Sequence, residues 1–279
     1  MKFAGIYTPA ITPLDKDGAI DRKAFAAVLE HLIASGVHGI IIAGSTGEYY
    51  AHTAQERTDL AAYAKHAREI GADAVLVASP PYAVPSEREN AVHALAIDKA
   101  AGLPIMLYNY PGRMGVSMGE DYFTRVSKSK NVVAIKESSG DLGQLHMLAR
   151  RFPNIALSCG WDDLALEFFA WGAPSWVCAG SNFLPAEHIA LYQACVVEGD
   201  FAKGRRIMSA MMPLMNSLDE GNFVQKIKHG CELIGLTAGK PRLPLLPLDG
   251  ADEARLAEVV AALKREVAAV AQPVAGPVR

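Results

Sequence analysis

The chain has 279 residues, of which 51% are hydrophobic and 20% are charged, so it is long enough for one large barrel or two ordinary domains. Its formal net charge of -3, with scattered lysines and arginines, argues against nucleic-acid binding, and its apolar runs are too short to span a bilayer. The N-terminus lacks a secretory signal pattern, and the four cysteines are widely spaced, without a CxxC pair or a histidine at ligand spacing. We therefore expect a cytoplasmic protein with reduced thiols and no metal site.

Up to residue 199, short apolar runs alternate with longer amphipathic stretches, which is typical of parallel strands joined by helices. Strands are predicted at residues 5–11, 37–43, 74–78, 104–108, 132–135, 155–158 and 176–179. Helices are predicted at residues 22–34, 54–69, 87–100, 119–127, 142–150, 163–171 and 186–197. Because no glycine-rich nucleotide-binding motif is present, we expect the sheet to close into a TIM-type (β/α)8 barrel. Residues 1–199 would form the barrel, and the helical pattern from residue 200 predicts a C-terminal extension, 200–279, packed on it.

The strand count falls one short of the eight that a closed βα barrel needs. The shortfall lies between Ala43 and Ala74, where a single helical stretch at residues 53–70 fills the interval. The third strand–helix unit is therefore expected to be absent. The sequence leaves three outcomes open: closure with fewer strands, substitution by another segment, or a compromised fold.

A hydroxyl-rich loop follows the second predicted strand. It reads Gly44-Ser45-Thr46-Gly47-Glu48 and comes directly after an apolar run. Glycine lets the backbone approach a ligand closely, and backbone N–H groups and hydroxyls can hold a carboxylate. On these residues alone, a carboxylate-binding loop and a simple turn with satisfied hydroxyls are about equally expected.

A second polar segment, from Tyr108 to Arg113, follows the fourth predicted strand. A tyrosine at a strand end can pass a proton between a substrate and a neighbouring hydroxyl, and an arginine offers a fork of donors to a carboxylate. Taken singly, a packed phenol and a surface charge are the commoner roles for such residues.

Lys136 follows the apolar run 132–135 at the end of the fifth predicted strand. A buried strand points the amine where water is scarce, and desolvation favours the neutral amine that attacks a carbonyl group. The structural alternative is a lysine that extends from the strand end into water. Lys226 and Lys228 are rival amines, but they lie in a predicted helix with no strand to desolvate them.

These three segments share one position in the predicted fold. Each follows an apolar strand, and the carboxyl ends of the strands of a βα barrel surround one mouth. A desolvated amine, a carboxylate-binding loop and a phenol would then face a single cavity, which makes chance clustering a poor explanation.

Taken together, the segments resemble the dihydrodipicolinate synthase / N-acetylneuraminate lyase family of Schiff-base enzymes. The resemblance runs from about Ile6 to Leu248. It rests on Thr8-Pro9, the GSTGE loop, Tyr108 to Arg113, Ile135 to Asp141, Lys228 to Leu236 and Pro241 to Pro244. It implies a barrel enzyme with a helical C-terminal extension that needs no cofactor and assembles as a dimer or tetramer.

The resemblance also implies a role for each site residue. Lys136 would form an imine with the ketone of pyruvate or a related 2-keto acid, Tyr108 would carry protons, and Thr46 would relay them. Ser45 and Thr46 would bind the carboxylate of the substrate, and the backbone of Val177 would contact the bound keto acid. The protonated imine is an electron sink, so a carbanion beside it is stabilised as an enamine.

One departure from the family pattern concerns a second tyrosine. The synthases carry Pro-Tyr-Tyr after the strand that matches residues 74–78, and the second tyrosine completes a proton relay across a subunit interface. Here Ala83 occupies that position, and Tyr82 is the nearest substitute. Arg113 nevertheless matches the arginine with which the synthases bind a second carboxylate.

The sequence therefore predicts a lyase or synthase of the 4-hydroxy-tetrahydrodipicolinate synthase type, catalysing an aldol condensation or cleavage. A 2-keto acid dehydratase or deaminase that uses the same lysine imine is the alternative that Ala83 favours. A non-catalytic keto-acid-binding protein is a third alternative. The second substrate and the direction of the reaction stay open at this stage.

Overall fold

The structure, a computed structural model, describes residues 3–48 and 71–271, which form two compact units. The first unit comprises residues 3–4 and 71–177, and the second comprises residues 5–48 and 178–271. The predicted helix 54–69 and the interval assigned to the missing strand–helix unit lie largely outside the described residues. The predicted division of the chain after residue 199 stays a prediction.

The described residues contain seven strands and ten α-helices. The strands β1 to β7 lie at Gly5–Pro9, Gly39–Ile41, Val75–Ala78, Ile105–Asn109, Val132–Glu137, Ala156–Cys159 and Ser175–Val177. The helices α1 to α10 lie at Arg22–Ala34, Glu87–Ala101, Pro111–Met114, Glu120–Val126, Leu142–Arg151, Ala165–Ala170, Pro185–Tyr192, Phe201–Asp219, Phe223–Leu233 and Gly250–Ala271. Each predicted strand thus contains or overlaps an observed one.

The first unit is built on five parallel strands in the hydrogen-bonded order β7-β6-β5-β4-β3. Helices connect successive strands, and the central strands are buried on both faces, as expected for a parallel sheet covered by helices. The register pairs Tyr108 of β4 with Lys136 of β5, and Lys136 with Ser158 of β6. Paired residues point to the same face of a sheet, so this register determines which side chains accompany the lysine.

The second unit contains the parallel pair β1 and β2 together with the C-terminal helices. The helix α8 packs along α10, and its methionines Met208, Met211 and Met215 are buried. Methionine side chains are flexible and therefore suited to filling the space between packed helices. None of the described helices is long and apolar enough to cross a membrane.

Local signals explain several helix boundaries. Asp21 accepts a hydrogen bond from the backbone of Ala24 and begins α1 at the predicted residue. The helix α2 begins with a capping box, in which Ser86 and Glu89 bond to each other's backbone N–H groups. It ends at Gly102, whose φ of 58° places it in the left-handed region.

Candidate active site

Lys136 is the penultimate residue of β5, and its side chain lies against Tyr108 on β4. Its Nζ atom is 4.3 Å from the centroid of the Tyr108 ring, and the lysine is only 8% exposed. The parallel register places the two residues side by side on one face of the sheet. Two of the sequence-predicted site residues are therefore in direct contact, with the amine on the face of the phenol.

Gly160, directly after β6, provides the space that the Lys136 side chain occupies. A Cβ atom on Gly160 would lie 2.6 Å from Lys136 Cγ, 2.9 Å from Lys136 Cε and 2.1 Å from Ser138 Oγ. Carbon and oxygen atoms do not approach a Cβ this closely, so the lysine passes over a position that only glycine leaves open. Neither Gly160 nor Ser138 has a role that could be assigned from the sequence alone.

A buried carboxyl lies on the opposite face of β5, since Glu137 alternates with Lys136 along the strand. Glu137 accepts hydrogen bonds from Asn109 Nδ2 at 2.8 Å and from the backbone N–H of Ser139 at 2.7 Å. Asn109 Oδ1 in turn accepts from the backbone N–H of Met118 at 3.0 Å. The carboxyl thus ties the ends of β4 and β5 together behind the Tyr108–Lys136 contact.

Burial raises the pKa of the Glu137 carboxyl, and the hydrogen bonds from Ser139 and Asn109 offset only part of that rise. A raised pKa means that the folded chain holds the proton more tightly than the unfolded chain. The stability from this proton is fully present below the ordinary pKa of 4.5 and is lost as the pH rises through the raised value.

We therefore expect Glu137→Gln to remove a pH dependence of stability. The free energy of unfolding of the wild type relative to Glu137→Gln should fall, as the pH rises from 4.5, by up to about 1.4 kcal/mol per pH unit. Urea unfolding at a series of pH values measures it, and the exposed Glu30→Gln is the matched control. A difference that is flat with pH would contradict the prediction.

Three aromatic rings extend from the lysine past the strand ends. The rings of Tyr108 and Tyr110 are 6.0 Å apart, as are those of Tyr110 and Trp161. Arg113, exposed in the short helix α3, has its guanidinium carbon 5.8 Å from the Tyr110 centroid. The structure therefore places Arg113 in the same unit as Lys136 and Tyr108, while its role toward a second carboxylate stays a prediction. Val177 is the buried last residue of β7 in that unit.

The hydroxyl-rich loop belongs to the second unit and follows β2, as predicted. Thr46 is buried and Ser45 is half-buried. Ala43 and Glu48, at either end of the loop, have φ angles of 55° and 60°, a region that L-residues seldom adopt. Strained backbone of this kind concentrates at functional sites, where surrounding contacts hold it in place.

The contacts that hold Glu48 come from Lys228 and from the backbone of Arg242, further along the chain. Lys228 Nζ is 2.7 Å from Glu48 Oε1, and both side chains are almost fully buried. Lys228 also donates to the carbonyl oxygens of Thr12 and Lys240, both at 3.2 Å, and Glu48 Oε2 accepts from the backbone N–H of Arg242 at 2.9 Å. A buried ion pair therefore holds Glu48, the last residue of the hydroxyl-rich loop, in place.

The expectation that Lys226 and Lys228 are not desolvated was wrong. Both are buried, because α9 lies inside the second unit and not on its surface. Lys226 donates to the carbonyl oxygen of Ser217, and Lys228 is held by Glu48. Their ammonium groups are bound to acceptors, which sets them apart from Lys136 on its aromatic ring.

Within the described ranges, no group of three or more histidine, cysteine, aspartate or glutamate side chains is arranged to hold a metal ion. The four cysteines are free thiols, and all are buried.

Known proteins resemble the chain along nearly its whole length. The model of the Dihydrodipicolinate synthetase family matches residues 2–67 and 61–264. The 4-hydroxy-tetrahydrodipicolinate synthase of Exiguobacterium sibiricum is 32% identical over 94% of this chain and 98% of that protein. The protein of the same name from Parvibaculum lavamentivorans is also 32% identical, over 91% of this chain and 96% of that protein.

Among solved structures, the 4-hydroxy-tetrahydrodipicolinate synthase of Methylacidiphilum fumariolicum SolV matches with a TM-score of 0.89 and 31% identity. The match covers 96% of this chain and 98% of that one. This likeness confirms the predicted fold class, a TIM-type barrel with a helical C-terminal extension.

Proposed function

Because the chain belongs to the dihydrodipicolinate synthetase family, we propose that Lys136 is the amine through which it acts on pyruvate or a related 2-keto acid. The enzyme is a class I lyase or synthase, which forms an imine with its substrate. One observation carries the assignment to Lys136: its buried amine lies 4.3 Å from the ring centroid of Tyr108. A nucleophilic lysine needs such a desolvated position beside a proton-carrying group.

The chemistry follows from the imine. The Lys136 amine attacks the ketone carbon, and loss of water leaves a protonated imine that draws electrons from the adjacent carbon. A carbanion at that carbon is stabilised as an enamine and forms or breaks a carbon–carbon bond. The reaction is an aldol condensation or cleavage of the 4-hydroxy-tetrahydrodipicolinate synthase type.

The remaining predicted residues have supporting roles in this proposal. Tyr108 carries protons to and from the substrate, and Thr46 relays them. Ser45 and Thr46 bind the keto-acid carboxylate, and the backbone of Val177 contacts the same molecule. A second carboxylate is the ligand for Arg113, whose planar fork of donors suits it.

A second candidate, a dehydratase or deaminase of 2-keto acids, is favoured by Ala83. Alanine cannot supply the phenol that the synthases use at this position. The neighbouring Tyr82 is 100% exposed on this chain and has a φ of 69°. We infer that its ring replaces the missing phenol by entering the site of another subunit.

We also propose that the protein is a cytoplasmic homo-oligomer, a dimer or tetramer, without a nucleic-acid or membrane partner. The exposed side chains of Tyr82 and Val84 support an interface at this loop, since large apolar groups of this kind are usually covered in an assembly. No cofactor enters the proposed reaction.

The test is intact-mass spectrometry after borohydride reduction in the presence of pyruvate. We expect one pyruvyl adduct per chain, and peptide mapping should place it on Lys136. Lys226 and Lys228 are internal controls, because their amines are bound to acceptors. An adduct on either of them, or none on the folded protein, would refute the assignment.

Gly160→Ala tests whether the position of the Lys136 side chain over Gly160 determines the rate of adduct formation. The new methyl group would overlap Lys136 Cγ and Ser138 Oγ, so we expect the amine to shift and adduct formation to slow about 100-fold, as for a displacement of about 1 Å. Gly250→Ala is the control, because a Cβ there meets nothing within 4 Å. Equal rates in the two variants would show that the opening at Gly160 is not needed.

A further inference from the structure

Ser138 carries a buried hydroxyl that the proposed function leaves without a role. The residue is 0% exposed and follows Lys136 by two positions, on the same face of the chain. Its backbone is fixed, because its N–H donates to the Asn109 carbonyl at 2.8 Å. Among the described residues, however, Ser138 Oγ has no hydrogen-bond partner. Buried hydroxyls are nearly always satisfied, so an unsatisfied one beside a reactive amine needs an explanation.

The position of this hydroxyl relative to the amine follows from Gly160. The Cβ position of Gly160 lies 2.1 Å from Ser138 Oγ and 2.9 Å from Lys136 Cε, so Oγ and Cε are separated by at most the sum of these distances, 5.0 Å. The amine nitrogen is bonded to Cε. The hydroxyl therefore lies within 5.0 Å of the carbon that carries the amine, at which the carbon–nitrogen bond to a substrate would form.

Ser158 offers a matched comparison. It is also 0% exposed, and its Oγ likewise lacks a partner in the described part of the chain. It pairs with Lys136 across the sheet, whereas the lysine side chain extends toward Gly160, two residues further along the chain. Ser158 is thus level with the lysine backbone, whereas Ser138 Oγ lies within 5.0 Å of Lys136 Cε, near the far half of the side chain.

We propose that the Ser138 hydroxyl relays the proton that moves when Lys136 adds to the ketone. The proposal rests on the imine chemistry proposed above. As the carbon–nitrogen bond forms, the carbonyl π bond breaks and its electron pair moves to oxygen, leaving a positive nitrogen and a negative oxygen. Ser138 gives its hydroxyl proton to that oxygen and receives one from the nitrogen. The product is a neutral carbinolamine, and the serine ends unchanged.

The test compares the rate of adduct formation with its final extent. Protein and pyruvate are mixed, borohydride is added at set times, and the adduct is measured by intact mass. For Ser138→Ala we expect the wild-type extent and unfolding temperature, but a rate about 100-fold lower, since positioned proton transfer contributes about 10² or more. Ser158→Ala should form the adduct at the wild-type rate.

The possible outcomes distinguish a failure of the Ser138 proposal from a failure of the proposed function. No adduct on the wild type would remove the proposed function itself. A wild-type adduct with equal rates in Ser138→Ala would remove only the role of Ser138, as would equal slowing in both alanine variants. If Ser138→Ala does not fold, Ser138→Cys keeps the branching and hydrogen-bonding capacity of the side chain with a weaker donor, and the same comparison applies.

Discussion

Lys136→Met is expected to abolish both the pyruvate adduct and turnover, with a loss on the order of 10⁴- to 10⁶-fold, the scale on which enzymes lose activity without their covalent nucleophile. Methionine has nearly the length of lysine and packs well on an aromatic ring, so it keeps the contact with Tyr108 while removing the amine. The measurement is the steady-state rate together with the reduced adduct mass.

The control for this variant is Lys130→Met, which removes an exposed lysine just before the same strand. Its adduct and rate should equal those of the wild type. Circular dichroism of Lys136→Met should show an unchanged fold, because within residues 3–48 and 71–271 the Lys136 side chain makes no hydrogen bond that holds the sheet. Turnover that survives in a folded Lys136→Met would mean that another group carries the reaction.

Lys228→Met should have the largest effect on stability. It leaves the buried Glu48 carboxylate without its cation, and breaking a buried pair in this way costs about 3–5 kcal/mol. The strained Glu48 backbone would lose one of the two contacts that hold its side chain, so the hydroxyl-rich loop should loosen as well. Urea unfolding and the Michaelis constant for the keto acid measure the two consequences.

Two further variants test whether the loss of stability in Lys228→Met comes from an unpaired buried charge. Lys203→Met breaks a partly exposed pair with Glu198 at 3.0 Å and should cost no more than about 1 kcal/mol. Glu48→Gln combined with Lys228→Met removes both charges and should recover part of the lost stability, because no buried charge is left unpaired. A cost for Lys228→Met as small as that for Lys203→Met would contradict the argument.

Local patterns in the sequence predicted the positions of the strands correctly and placed Lys136 at a strand end, where the structure has it. The apolar runs located β4 and β5 within a few residues, and both Tyr108 and Lys136 fall near strand ends. A parallel sheet brings such residues together once the strands are neighbours, which is why the sequence alone could predict that the amine and the phenol lie close together.

The contributions that the sequence did not reveal are those that depend on packing between distant segments. Gly160 is one of many glycines, and only the course of the Lys136 side chain shows why a Cβ cannot be present there. Ser138 was part of a family motif, but its unsatisfied hydroxyl is a property of the folded surroundings. Lys228 looked like an ordinary helical lysine because nothing near it in the chain identifies Glu48 as its partner.

The second unit joins early and late segments of the chain, and this affects the order in which native contacts form during synthesis. Its early residues bond to late ones: Thr8 with Ser181 across 173 residues, Glu48 with Arg242 across 194, and Thr12 with Lys228 across 216. At the usual 5–20 residues per second, these early residues leave the ribosome roughly ten seconds or more before their late partners exist. Residues 71–177 face no such delay. The hydroxyl loop should therefore be among the last parts to acquire its native contacts, and a nascent chain stalled before α9 should lack it.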